Sequence, residues 1–147
     1  MYRVSAALAL LLAPLPAAAE DWFRLKPISD TGYNFVDLDS IHVQGKLVVA
    51  HSLSVHLPTI PDTRFRWMWI EAEYDCAENA ARFLSIRGYD TDREMIADID
   101  RPLGDQFLPA QPGSDGNAIT AFICNTSREG AVRVSDPWAV LPPAEDQ

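Results

Sequence analysis

The sequence predicts an α+β domain: an antiparallel sheet of about five to six strands, one late helix packed on a face, and one disulfide. Three observations carry that prediction. Side chains alternate between apolar and polar along "KLVVAHSLSVHL" and along the second half of "RFRWMWIEAEYDC". A late segment, "PGSDGNAITAFICN", places Ile119, Phe122 and Ile123 at helical spacing. Two cysteines, Cys76 and Cys124, follow a leader that directs export.

The leader comes first. "MYRVSAALALLLAPLPAAAED" has one basic residue, Arg3, then an apolar run from Val4 to Leu15, then Ala17-Ala18-Ala19. That order reads as a secretory signal peptide over residues 1–19, cleaved after Ala19. The apolar run falls short of the roughly 20 residues that a bilayer span needs. No cysteine follows the cleavage site, so no lipid anchor is expected. The protein is therefore expected in the periplasm or outside the cell. Losing Arg3 with the leader leaves 11 basic against 21 acidic residues, a net charge of −10. A surface of that sign repels nucleic acid and anionic lipid.

The remaining chain reads mainly as strands and turns. "WFRLK" (Trp22 to Lys26) is a short strand ended by Pro27, and "YNFVDL" (Tyr33 to Leu38) a second, with a turn at Asp39-Ser40. "IHV" and the long run from Lys46 to Leu57 form a hairpin through Gln44-Gly45. In the long run Leu47, Val49, His51, Leu53, Val55 and Leu57 share one face, and Pro58 and Pro61 end it.

From Arg64 to Cys76 the apolar face changes over near Trp69. Ile70, Ala72, Tyr74 and Cys76 point one way and Glu71, Glu73 and Asp75 the other, yet Phe65, Trp67 and Trp69 share the acidic parity. Two causes remain open here. One is a bulge, or a strand passing from one cover to another. The other is an aromatic surface of Phe65, Trp67 and Trp69 that contacts a protein partner. "ARFLSIRGY" (Ala81 to Tyr89) is the next strand, with Leu84 and Ile86 on one face, and a weak strand spans Met95 to Ile99. Ser114 is the N-cap candidate for the helix, and residues 126–147 read as an extended tail.

Cys76 and Cys124 most simply form a disulfide. A reactive thiol wants a nearby cation, and Cys76 has Asp75 and Glu78 instead. Metal binding wants paired spacings such as C-x-x-C, which are absent. His42, His51 and His56 are the only histidines, and His51 and His56 point to opposite strand faces, so no metal site is expected. The pairs Asp37/Asp39, Asp90/Asp92 and Asp98/Asp100 lack the further oxygens and glycine of a calcium loop. No G-x-S-x-G, P-loop or H-E-x-x-H occurs, and no cofactor is called for.

The order "WFRL … YNFVDLDSI … KLVVAHSL … EYDC … RFLSIRGYD … PGS … FIC" resembles the bacterial surface-adhesin protein E-like domains. The resemblance covers Trp22 to Cys124, and the domain is placed at residues 20–125. It implies an antiparallel sheet with a helix, a Cys76–Cys124 bond, dimerisation, and binding of host matrix and plasma proteins at the cell surface. Two features depart from the family: the lipid-accepting cysteine is missing, and His51 stands where many relatives carry an aromatic.

The expected function is that of an exported non-catalytic binding domain that takes a protein partner or a second copy of itself. Two alternatives stand beside it. One is a small periplasmic hydrolase or metal-dependent enzyme using Asp and His groups, the other a structural envelope protein.

Overall fold

Two runs of alternating residues form the middle of the sheet. In the computed structural model, which describes residues 20–28, 32–56, 64–100 and 104–140, β3 spans Leu47–His56 and β4 spans Trp67–Asp75. They pair antiparallel with Leu53 opposite Trp69 and Ala50 opposite Ala72. The expected signal peptide, the prolines that would end β3, and residues 141–147 of the expected tail lie outside the described residues.

β2 (Gly32–Gln44) joins β3 through Gly45-Lys46, one residue later than expected, and Gly45 takes the positive φ of 65° that such a tight turn requires. β5 (Ala80–Tyr89) follows β4 through the turn Cys76–Asn79. The Asp75 carboxylate accepts from Ala77 N and Glu78 N there, both at 3.1 Å, which satisfies the turn's amides.

Among the described residues the sheet has eight strands, more than expected. β1 (Trp22–Arg24), β6 (Met95–Asp100), β7 (Leu108–Pro109) and β8 (Val132–Val134) complete it. The order is β6-β5-β4-β3-β2-β1-β8, with β7 on the far end of β5, and every pairing is antiparallel. Two further corrections concern β2 and the tail. β2 does not break at Asp39-Ser40 but runs on through a bulge. Part of the expected tail instead folds, supplying β8 and a 3-10 turn at Pro137–Ala139.

The bulge explains the "VDLDSI" segment. Asp37 pairs with His51 but His42 with Val49, so β2 carries three more residues than β3 across it. The buried Asp37 carboxylate accepts from Asp39 N and Asp21 N, each at 3.1 Å. Ser40 Oγ donates to Asp37 O at 2.6 Å and accepts from His51 N at 2.8 Å. These bonds take up the ladder groups that the extra residues would strand. The bulge also lets both Leu38 and Ile41 pack on the same core.

Both faces of the sheet are apolar, and each has its own cover. On one face α1 (Asp115–Ile123) packs Ile119, Phe122 and Ile123 against Val36, Ala50, Ile70 and Ala72. Ser114 caps the helix, its Oγ accepting from Asn117 N at 3.2 Å. Asn125, at φ 58°, turns the chain out of it. Cys124, at the helix C-cap, is bonded to Cys76 with Cα atoms 5.6 Å apart. On the other face Trp22, Phe35, Leu53, Val55 and Trp67 form a second core, closed by Val134, Trp138 and Val140. The changeover within β4 is therefore a strand passing between two covers.

Candidate functional site

The three aromatics proposed as a surface part company. Trp67 is 2% exposed and belongs to the second core, its ring 6.4 Å from that of Trp138. An interface role for Trp67 is corrected on that ground. Phe65 packs its ring where a Cβ on Gly88 would lie, within 2.5 Å of it. Because Gly88 alternates with Arg87 and Tyr89, this is the helix face, opposite Trp69. Trp69 alone is left half-buried on the face that the C-terminal segment covers only in part.

Around Trp69 the sheet builds one continuous row. Leu53, Trp69, Arg87 and Asp98 are directly paired across β3, β4, β5 and β6. The Arg87 guanidinium lies 4.7 Å from the Trp69 ring centroid, and its Nε is 3.4 Å from Asp98 Oδ1. The His51 ring sits 4.7 Å from Trp69 on the other side, and its Nε2 is 3.7 Å from Glu71 Oε1. The row thus grades from a buried leucine through an aromatic to a charged edge. A cation held over an indole keeps both groups oriented at low entropic cost.

The acidic ladder beside it is largely committed. Glu73 is held by Arg82, which donates from Nε at 3.0 Å and also from Nη2. Asp75 caps its turn, leaving Glu71 with the imidazole of His51. Asp90 accepts from Asp92 N and Glu94 N, both at 2.9 Å, so that acidic pair is also spent on a turn.

Among the described residues, no three His, Cys, Asp or Glu side chains gather to hold a metal ion. His56 lies on the helix face, opposite His51, and burial lowers its pKa, with Asp115 opposing and Arg66 assisting. The Asp37 carboxyl is raised by burial against the pull of its two backbone amides. Burial also drives the Tyr74 hydroxyl well above its ordinary value, against its hydrogen bond with Ser52. No helix among the described residues is long and apolar enough to cross a membrane.

Sequence reasoning missed Arg87 as the partner of Trp69, and a bulge is the reason. From Asp75↔Ala80 the hairpin counts Ile86 opposite Trp69, but Leu84 is an extra residue that shifts the register to Arg87. Ile86 consequently joins Ala81 and Phe83 on the helix-side core, so Leu84 and Ile86 do not form the expected pair.

The profile of the family described as Surface-adhesin protein E matches residues 22–125. Two solved structures of Haemophilus influenzae protein E are similar, each at 18% identity. One covers 80% of this chain and 98% of its own with a TM-score of 0.49, the other 78% and 92% with 0.47. Protein E from non-typeable Haemophilus influenzae is similar at 17% identity over 78% of this chain and 82% of that one, with a TM-score of 0.42. No curated protein matches. With the profile spanning β1 through the second cysteine, the chain belongs to the surface-adhesin protein E family.

Proposed function

We propose that this protein is an exported, non-catalytic binding domain whose contact surface is the row centred on Trp69 and Arg87. One observation carries the reading: a half-buried tryptophan held between a guanidinium and an imidazole on an open sheet face. Tryptophan and arginine are the residues that most often dominate binding energy, and pre-oriented ones lose least entropy on association. Family membership supports an adhesin-like role. Phe65 and Trp67 act beneath and beside that surface as packing residues.

The partner is a protein with an apolar centre and a mixed-charge rim that matches Arg87, Glu71 and Asp98. Crosslinking in the native host, read by mass spectrometry, tests this. Trp69→Ala and Arg87→Ala should each lower the yield of partner crosslinks about tenfold, the scale of an interface hot spot. Trp67→Phe, a core substitution, should leave them in place. Undiminished crosslinks in Trp69→Ala, or crosslinks that map to the helix face, would overturn the assignment. Should the crosslinked species be a second copy of the chain, the same row becomes a dimer interface.

A further inference from the structure

The helix is too short for the sheet it covers. Nine residues give about 13 Å of helix, whereas seven strands at their usual spacing span about 28 Å. α1 lies over β2 and β3, and β7 pairs with the first residues of β5. Between them is a cavity of about 410 Å³. Its size falls in the range of small-ligand sites. Met68, Ile70, Phe83 and Ile119 supply apolar walls, and Leu108, more than half exposed, stands at the rim.

The lining is polar at one end. Ser54 Oγ donates to Asn34 Oδ1 at 2.7 Å, which leaves the Asn34 amide nitrogen as that pair's remaining donor. His56 and Asp115 also line this space, and burial keeps the imidazole neutral at pH 7. Among the described lining residues there is no lysine or arginine, and the fixed charge is the Asp115 carboxylate. A ligand's negative head would meet that carboxylate inside the space, with Arg66 engaged outside the lining on the His56 carbonyl at 2.6 Å, whereas hydroxyls would find both donors and acceptors.

We infer that the cavity between α1, β7 and the helix-side face of the sheet binds an uncharged amphiphile. A single aliphatic chain lies along Met68, Ile70 and Phe83, and a hydroxyl-bearing head meets Asn34, Ser54 and His56. The site is separate from the Trp69 row, which lies on the opposite face.

Isothermal titration of the exported protein, disulfide intact, with 1-monolauroylglycerol and with laurate, both below their micelle concentrations at pH 7, tests this. Monolauroylglycerol should bind saturably at one site, with laurate at least tenfold weaker. Removing the charge in Asp115→Asn should narrow that gap severalfold by strengthening laurate alone. Filling the space in Ala81→Phe should abolish binding, and the exposed Leu108→Trp, which narrows the rim, should weaken it about tenfold even if the first variant fails to fold. Absence of saturable monolauroylglycerol binding would overturn the site. Laurate binding as tightly as the glyceride would overturn the ligand class. Full affinity retained by a folded Ala81→Phe, or by Leu108→Trp, would overturn the location.

Discussion

Ser40→Ala isolates the bond set that holds the β2 bulge. The hydroxyl makes two hydrogen bonds, donating to Asp37 O and accepting from His51 N. Each contributes about 1 kcal/mol net, and the His51 amide loses its partner inside the ladder, which adds about 1 kcal/mol or more. Substitution should therefore destabilise the domain by about 2–4 kcal/mol, against a total of about 5–15 kcal/mol. Urea unfolding followed by tryptophan fluorescence reads this directly, since Trp22 and Trp67 lie in the second core. The midpoint should fall while the slope stays constant. Ser40→Thr, which keeps the hydroxyl on a strand-favouring side chain, should stay within about 1 kcal/mol of the parent. A Ser40→Ala protein as stable as the parent, or a Ser40→Thr protein as weakened as Ser40→Ala, would refute the hydroxyl's role as the pin.

Four further outcomes follow from the same structure. Replacing both cysteines by serine should cost about 4 kcal/mol, because Cys76 and Cys124 close a loop with a sequence separation of 48; a loss below about 1 kcal/mol in urea would show the fold does not depend on the staple. Gly88→Ala should cost about 1–3 kcal/mol by displacing the Phe65 ring, and the penalty should largely vanish in a Phe65→Ala background, as a double-mutant cycle measures. Stability should fall as pH drops below about 6.5, because the unfolded chain protonates its histidine before the native His56, whose folded pKa is lowered. Asp37, with a raised folded pKa, works oppositely: its destabilising contribution at neutral pH is relieved on acidification, so Asp37→Asn should leave a steeper acid loss than the parent shows.

Periodicity made the middle of the sheet legible, since β3 and α1 each have one strong pattern and β4 has one along its second half. The helix cap at Ser114 and the stripe of Ile119, Phe122 and Ile123 were readable for the same reason. Bulges were not, because an extra residue leaves no mark in composition. Leu84 looks like any strand residue, and it alone decides whether Ile86 or Arg87 faces Trp69. β7 and β8, at two and three residues, are shorter than any alternation that could announce them. The fates of Trp67 and Trp69 were hidden for another reason: identical parity puts both on one face, and what covers that face is Trp138, far along the chain.

That cover sets where core ends and surface begins. Trp138 meets Trp67 and Tyr89, which face each other across β4 and β5, with Tyr89 edge-on at 5.0 Å. Arg93 donates to Trp138 O at 2.9 Å and so holds the segment in place. The next row on the same face, Trp69 and Arg87, lies two residues along each strand, about 7 Å away. Among the described residues, which end at Val140, Arg87 and His51 flank the indole in place of apolar cover, and polar groups substitute for packing. A core with no binding role has no need of this substitution, because an aliphatic residue at position 69 would close the boundary more simply. On the proposed function, the flanked tryptophan is a surface kept apolar for a partner rather than a core left unfinished.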